Sequence, residues 1–366
     1  MQLRLGISVC LLLAASAPSF GQQTVYVRDS EKPLKGAIKE ESAQGILLSG
    51  VKERIPAADI IDVEYDLQPL TARLELYRPA RKAESDAADP GLSAKRSANL
   101  ALAIDKYQQT LKALSAGQAA AVRHLEFKIA ALTAEQAQSE TFPLEPGITK
   151  LKEFKTKYPR SWQLTRDLKL LGDLYLQQKQ YAEAEATFKE LAAADVTPAT
   201  RNEAGLWAAQ VSLRAGKYAD AQAKLDALIK KLPKDDPYAI RARIAQAECL
   251  SASKKGEEAR KLLQQVLNEA KDRVVKAAAY NALGESYFQS KMLKEARWEF
   301  LYVDVLYNQD KSEHAKALYY LWAIFGQLNE PERAEDCRAT LINDRQFQGS
   351  EYQRLAREKR APQTGS

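Results

Sequence analysis

Histidine is the first residue type to test for chemistry, because imidazole titrates near neutrality and serves as general base or metal ligand. The chain has two, His124 and His314, far apart in sequence and without a cysteine or carboxylate at ligand spacing. HExxH, CxxC and calcium-loop patterns are missing, as are a Gly-Lys-Ser/Thr phosphate loop and a Gly-x-Ser-x-Gly elbow. Gly284-Glu285-Ser286 falls inside a repeat and is explained by packing. Carboxylates are plentiful, 48 in all, but no spacing singles out a pair for acid–base work. The expectation is a chain with no catalytic residues, no metal and no cofactor, and therefore not an enzyme. The one dense cluster of distinctive side chains is aromatic: Trp298, Phe300, Tyr302, Tyr307, Tyr319, Tyr320, Trp322 and Phe325. Such a group is either the core of two packed units or a partner or self-association surface, since large aromatics bury much area at little entropic cost.

Composition indicates what must position these groups. Of 366 residues, 45% are hydrophobic and 28% charged, which suffices for a large core or several domains. Alanine is frequent while Gly (16) and Pro (14) are modest, so helix is favoured. The net charge of +6 is spread among interleaved acids and bases, as on solvated helix faces. Its excess is most visible at Arg78–Lys82 and Arg354–Arg360. Nucleic acid is not an expected partner.

The first 21 residues read as a signal peptide. Arg4 gives a positive start, Leu5 to Ala15 an apolar run, and Ser19-Phe20-Gly21 the small residues before cleavage, expected after Gly21. The product is periplasmic or secreted, with the periplasm preferred. The apolar run is too short to span a bilayer, and no later segment resembles a transmembrane helix. Cys10 lacks a lipobox. The remaining cysteines, Cys249 and Cys337, fall in non-adjacent repeat units roughly 20 Å apart, beyond disulfide reach, and are expected as free thiols.

Residues 22–66 carry short strand signals separated by Gly, Pro and polar turns: Val25-Tyr26-Val27, Leu34–Glu40, Gly45–Leu48, and Glu53–Pro56 leading into Ile60–Tyr65. So few residues hide their apolar face most simply by closing on themselves. The runs Lys35–Glu41, Gly45–Leu48 and Ile55–Ile60 resemble an SH3-like or Sm-like barrel. Sm-like barrels often bind RNA; here the stacking aromatics and basic cluster are missing, so a docking module is expected.

A repeat dominates the rest. Leu168-x-x-Leu171-Gly172-x-x-Tyr175 precedes Ala184-x-x-x-Phe188, and Tyr280-x-x-Leu283-Gly284-x-x-Tyr287 precedes Ala296-x-x-x-Phe300. Small residues recur at Gly172, Ala209, Ala247 and Gly284, and at Ala184, Ala221, Ala259, Ala296 and Ala334, every 37 or 38 positions. Only a small side chain lets two antiparallel helices touch closely. Large residues at Tyr175, Phe188, Leu225, Leu263, Tyr287 and Phe300 fill the spaces between hairpins. The pattern resembles the tetratricopeptide repeat, with a period slightly longer than the usual 34 or so residues, and the earlier segment Ile148 to Pro159 resembles a second helix of tetratricopeptide proteins of the bacterial envelope. Trp322 stands where a small residue is expected, so the last unit is read as distorted or as a cap.

The resemblance implies a mainly α fold, a right-handed superhelical solenoid of helical hairpins, preceded by the small all-β barrel. Residues 67–164 read as degenerate helical repeats with a loop near 78–94, residues 165–348 as five repeats, and 349–366 as a flexible tail. It also implies a concave groove, lined by the first helices, that holds peptide segments. Carried over position by position, the groove residues are Arg166, Lys169, Asp173 and Gln177; Glu203, Leu206, Gln210 and Arg214; Arg241, Ile244 and Glu248; Asn281, Glu285, Phe288 and Gln289; and Lys316 and Tyr319. They are mixed in charge and lack the dense Lys and Asn set that clamps a peptide carboxylate. The leading functional expectation is a non-enzymatic protein-binding scaffold of the cell envelope, with other proteins or peptide segments as partners and the aromatic group as a candidate homo-oligomer contact. Two alternatives stand beside it: an accessory subunit of an envelope enzyme that recognises glycan or peptide, and, ranked last, nucleic-acid binding through the barrel.

Overall fold

The computed structural model describes residues 22–28, 30, 32–137, 143–347 and 350–364. The expected signal segment and its cleavage point after Gly21 lie outside these residues. Six short strands come first: β1 (Gln23–Val27), β2 (Leu34–Gly36), β3 (Ile38–Ser42), β4 (Gly45–Leu48), β5 (Ile55–Pro56) and β6 (Ile60–Glu64). They form two antiparallel three-stranded sheets, β2-β1-β6 and β3-β4-β5, and not one closed barrel. Gly36 ends β2 where the chain passes from one sheet to the other, and a Cβ there would lie 2.8 Å from the Ser49 carbonyl oxygen. Closure is not needed to hide the apolar face. Val25, Ile46, Leu48, Ile55 and Val63 share a core with Tyr77, Ala80, Tyr107, Leu125 and Trp162 of the segments that follow. Helices cover what hydrogen-bonded closure would otherwise have hidden.

The first helices are irregular. α1 (Leu70–Ala72) runs through a π-helical turn (Arg73–Tyr77) into α2 (Arg78–Ala88). α3 (Arg96–Ala113), α4 (Ala119–Ala137) and α5 (Glu145–Lys157) follow. The loop expected near 78–94 is therefore helix as far as Ala88, followed by a 3-10 turn (Pro90–Lys95). Its buried stripe is Ala80, Ala83 and Ala87, small side chains at helical spacing set among charged ones, a weak hydrophobic signal.

Five helical hairpins make up the remainder. They are α6 (Leu164–Gln177) with α7 (Tyr181–Ala193), α8 (Pro198–Arg214) with α9 (Tyr218–Ile229), and α10 (Pro237–Ala252) with α11 (Gly256–Glu269). α12 (Arg273–Gln289) with α13 (Leu293–Leu306) and α14 (Lys311–Gln327) with α15 (Pro331–Asn343) complete the set. Each first helix ends on a left-handed residue: Lys179, Gly216, Lys254, Lys291 or Asn329. That conformation returns backbone N–H groups to the last carbonyls, as when Gln180 N donates to Tyr175 O at 2.8 Å. The side chains of Thr197, Asp236, Asp272 and Asp310 accept backbone hydrogen bonds at the starts of α8, α10, α12 and α14.

The left-handed residue always lies seven positions after the helix-crossing residue, which fixes a single register for all five units. Gly172 lies against the Phe188 ring and Gly284 against the Phe300 ring, so closely that a Cβ would collide with either. Ala209 shares a cluster with Leu225, and Ala247 with Leu263. In the last unit both positions are large. Trp322 sits on the first helix and Arg338 on the second, its guanidinium 5.7 Å from the indole ring. The hairpin keeps its turn and both helices, so Trp322 is accommodated without the expected distortion.

The expected flexible tail 349–366 contains a further helix, α16 (Glu351–Arg357), capped by Ser350. Phe347 and Ala356 are buried with Leu318, Tyr319 and Leu341 at the open end of the solenoid, where an uncovered apolar face would otherwise meet water. Among the described residues no helix is long and apolar enough to cross a membrane. Cys249 and Cys337 are free thiols.

Candidate protein-binding groove

The first helices lie side by side, linked by polar contacts at the proposed groove positions. Lys169 Nζ lies 4.7 Å from the centre of the Trp207 ring, joining α6 to α8. Arg241 and Glu203 are 3.7 Å apart, joining α10 to α8. Asn281 and Glu285 of α12 bond to Glu313, Lys316 and Tyr320 of α14.

The β module takes up the start of this row. Asp62 Oδ1 lies 3.0 Å from Lys128 Nζ and 3.3 Å from His124 Nε2, while its other oxygen lies 3.3 Å from Arg81. Burial alone would raise the Asp62 pKa, but Lys128, His124 and Arg81 together hold it well below the usual carboxylate range. Burial outweighs Asp62 at His124 and lowers the imidazole pKa. Lys128 also pairs with Glu84 at 2.8 Å, Arg81 with Glu64 at 2.7 Å, and Arg123 with Glu41. Further along, Arg166 Nη1 donates to Ile61 O at 3.5 Å and Gln44 Nε2 to Asp195 Oδ1 at 2.7 Å. Arg166, assigned to the groove from sequence, is therefore a contact with the β module.

The other sequence-assigned positions fall into three classes. Gln177, Gln210, Arg214, Arg241 and Gln289 are exposed and line a surface available to a partner. Lys169, Asp173, Glu203, Glu248, Glu285 and Lys316 are half-buried, with Lys169 and Asp173 paired to each other at 2.9 Å. Leu206, Ile244, Asn281, Phe288 and Tyr319 are buried. Phe288 meets the Tyr320 ring edge-on at 5.3 Å, and Tyr319 donates its hydroxyl to Arg360 O at 2.9 Å. These two are packing residues, a correction that follows because Tyr320 of the next first helix covers Phe288 and the returning tail, through Tyr352 and Arg360, covers Tyr319.

The most elaborate part of the row spans α10 to α16. Asn281 is fully buried, and its Nδ2 donates to Glu313 O at 2.9 Å and to Glu313 Oε2 at 2.7 Å. Glu285 Oε2 accepts from the Tyr320 hydroxyl at 3.0 Å, and Glu285 Oε1 pairs with Lys316. Tyr352 of α16 closes the set, its ring 5.4 Å from Tyr319. Glu248 has no hydrogen bond or ion pair among the described residues, and burial pushes its carboxyl up to about 7. Lys316 opposes that rise, and Glu285 and Glu313 add to it. Sequence reasoning missed Glu313 and Tyr352 and named Tyr320 only as a member of the aromatic group. The spacing of Glu313, Lys316 and Tyr320 on one face of α14 carried a signal. Tyr352 had none, because its place depends on the tail turning back.

The aromatic group divides. Phe300, Tyr319 and Phe325 are buried, Tyr307, Tyr320 and Trp322 partly so. Trp298 and Tyr302 are exposed on α13, a second helix, and so lie outside the row of first helices. No group of three or more His, Cys, Asp or Glu side chains suited to a metal occurs among the described residues. Two shallow surface depressions of about 500 and 490 Å³ lie along α5 and beside α3 and α4, away from the row, lined by Lys, Glu, Gln and Thr with no convergent catalytic set.

This architecture defines a class: a tetratricopeptide-type helical-hairpin solenoid with an N-terminal β module docked on its first helices. The tetratricopeptide-repeat family model matches residues 212–279, from the end of α8 into α12. No curated protein matches the chain. Among solved structures it is similar to a tetratricopeptide repeat protein from Parabacteroides merdae ATCC 43184, with 13% identity, TM-score 0.49, and 76% of this chain and 99% of that one covered. It is also similar to a Rap protein complexed with competence and sporulation factor, at 15% identity, TM-score 0.49 and coverages of 76% and 81%. A third is PilW, a type IV pilus biogenesis factor, at 16% identity, TM-score 0.39 and coverages of 63% and 97%.

Proposed function

We propose that this chain is a non-enzymatic protein-binding scaffold of the cell envelope, holding a partner segment along its first helices between α8 and α16. The observation that carries this reading is the state of that row. Gln210, Arg214, Arg241 and Gln289 are exposed along it, and Glu248 sits half-buried with no hydrogen bond or ion pair among the described residues. Stacked repeats give a long surface without enclosing a pocket, which suits an extended ligand. The β module serves as a docked cap on the early repeats, because Arg81, Arg123 and Lys128 spend their charges on Asp62, Glu64, Glu84 and Glu41. That arrangement supports a structural role for it over RNA binding. The envelope location rests on the signal-like segment before Gln22.

The test uses immobilised protein beginning at Gln22 and an Arg214→Glu, Arg241→Glu double variant, both challenged with envelope extract. A partner held by the first and lost by the second, and whose isolated segment competes for binding, supports the groove. Equal retention moves the site to the outer face or the β module. Mass spectrometry of protein exported from a full-length gene checks the location, with an N-terminus at Gln22 expected.

A second reading concerns self-association. Trp298, Tyr302, Val305 and Leu306 expose 43% to 66% of their surface on α13. Together they offer roughly a few hundred Å², the scale of a monomer's largest functional patch and about half of one side of a standard interface. A second copy packing α13 against α13 would bury the same stripe twice. Light scattering should then show a dimer that Trp298→Glu dissociates; a monomer at all concentrations refutes it.

A further inference from the structure

Between α10, α12 and α14 the row of first helices holds more hydrogen-bond acceptors than donors. Asn281 is the most informative member. Both of its amide hydrogens are used by Glu313, which can only accept, so the orientation of the amide is fixed and Oδ1 faces the other way. That oxygen is buried and accepts from nothing among the described residues. One turn along α12, Glu285 is held on one oxygen by Tyr320 and on the other by Lys316. Across from it on α10, Glu248 has neither a hydrogen bond nor an ion pair among the described residues. The charged groups that act on Glu248 are Lys316, Glu285 and Glu313, and Arg214 of α8. Lys316 is already engaged by Glu285, and Arg214 is exposed to solvent.

A buried amide oxygen without a donor and a half-buried carboxylate without a counter-ion are both costly when empty. What satisfies both at once is a positively charged group with several donors. We propose that this stretch of the groove receives a cationic side chain of the bound segment, arginine ahead of lysine, with Glu248 as its counter-ion and Asn281 Oδ1 as its second acceptor. The proposal rests on the groove being the binding surface. Arginine is preferred because its planar fork presents five donors, so one guanidinium can reach acceptors on two neighbouring helices, whereas an ammonium acts as a point charge. Tyr352 and Lys316 would border the entry; Glu285 is already matched by Lys316 and Glu313 is held by the Asn281 amide, so Glu248 is the carboxylate left with neither contact among the described residues.

Binding then carries a pH signature. Burial holds the free Glu248 carboxyl near 7, so a cation must displace a proton at lower pH and finds the carboxylate already ionised at higher pH. Affinity for a cationic segment rises between about pH 6 and pH 8.

The probes are four pools of short fluorescent peptides, capped at both ends, degenerate except for one fixed central residue: Arg, Lys, Gln or Glu. Anisotropy titrations compare wild type with Glu248→Gln. That variant removes the costly charge and keeps its shape, so it should fold, and thermal unfolding by circular dichroism checks that it does. The wild type should bind the Arg pool about tenfold more tightly than the Gln pool, the value of one charge-assisted hydrogen bond. Glu248→Gln should reduce that preference to within about twofold and flatten its pH dependence. Equal binding of all four pools, or an Arg preference unchanged in Glu248→Gln, overturns the cation site while leaving the groove as the binding surface. No binding of any pool up to about 1 mM overturns both. The pH dependence of the wild type provides a readout that no substitution can confound.

Discussion

Gly284→Ala and Gly205→Ala make the same chemical change in two helix interiors of this solenoid, yet the structure assigns them opposite signs. In each helix the added methyl brings about 1 kcal/mol of helix propensity. At Gly205 the nearest atom to a new Cβ is Leu228 Cδ1 at 4.0 Å, an ordinary contact, so that gain is kept. At Gly284 the Cβ would lie 2.8 Å from both Cε2 and Cζ of Phe300. Carbon atoms rest at about 3.5–4.0 Å, so the ring must retreat by about 0.7 Å or more. It has nowhere to go. Phe300 is fully buried, and its ring is stacked on Tyr320 at 4.8 Å with the planes only 5° apart. Overpacking costs about 1–3 kcal/mol in general, and a fully buried ring already stacked on a neighbour puts this site in the upper part of that range, about 2–3 kcal/mol. Gly284→Ala is therefore expected to destabilise by about 1–2 kcal/mol after the propensity gain, and Gly205→Ala to stabilise by about 0.5–1 kcal/mol. Urea unfolding by circular dichroism measures both. Because stacked repeats open in blocks, amide exchange in α12 and α13 locates the loss. Adding Phe300→Leu to Gly284→Ala should recover part of it, with a coupling of about 1 kcal/mol or more. A Gly284→Ala protein as stable as wild type, or no coupling to Phe300, would falsify the view that this glycine exists to admit the ring.

The remaining predictions concern charge and backbone. Asp167 is buried with both carboxylate oxygens unpartnered among the described residues, and burial pushes its pKa up to about 8. The folded state then binds more protons than the unfolded one, so this group costs stability increasingly as pH rises from about 4 towards 8. Asp167→Asn should stabilise the protein by ~2–4 kcal/mol at pH 7 and by almost nothing at pH 4, as read from urea midpoints; parallel pH profiles for the two proteins would contradict this. Asp62→Ala leaves His124 Nε2 without its acceptor and Lys128 with Glu84 alone, and should cost about 1–3 kcal/mol, exposing the chain around Arg73 and Arg78 to trypsin. If tryptic cleavage there is no faster than in wild type, the module is held by its apolar core instead. Lys254 holds a left-handed conformation at the end of α10, so Lys254→Gly should raise the urea midpoint by an amount equivalent to about 1 kcal/mol.

The sequence alone carried the periodic part of this protein. Gly172 with Phe188 and Gly284 with Phe300 are legible because close helix packing demands a small residue against a large one at a fixed offset. The same period picked out the five alanines from Ala184 to Ala334, all of which are buried. What the tertiary structure decided is whatever depends on non-periodic neighbours. The β strands could be read, but whether they closed on themselves or leaned on helices turned on Tyr77, Tyr107 and Trp162, residues far along the chain that complete their core. Helix α2 escaped notice because its buried face is alanine, and α16 because its few apolar residues gain meaning only against Leu318 and Leu341. The groove was legible as a list of positions but not as a surface. Asn281 and Glu248 hold equivalent-looking places on first helices, yet one is buried with its amide hydrogens committed to Glu313 and the other has no hydrogen bond or ion pair among the described residues. A repeat pattern records the contacts each unit makes with itself and the next, and those are local enough to be written in spacing. Which polar atoms stay unpartnered depends on three or four helices meeting at one point, and no spacing along the chain encodes that meeting.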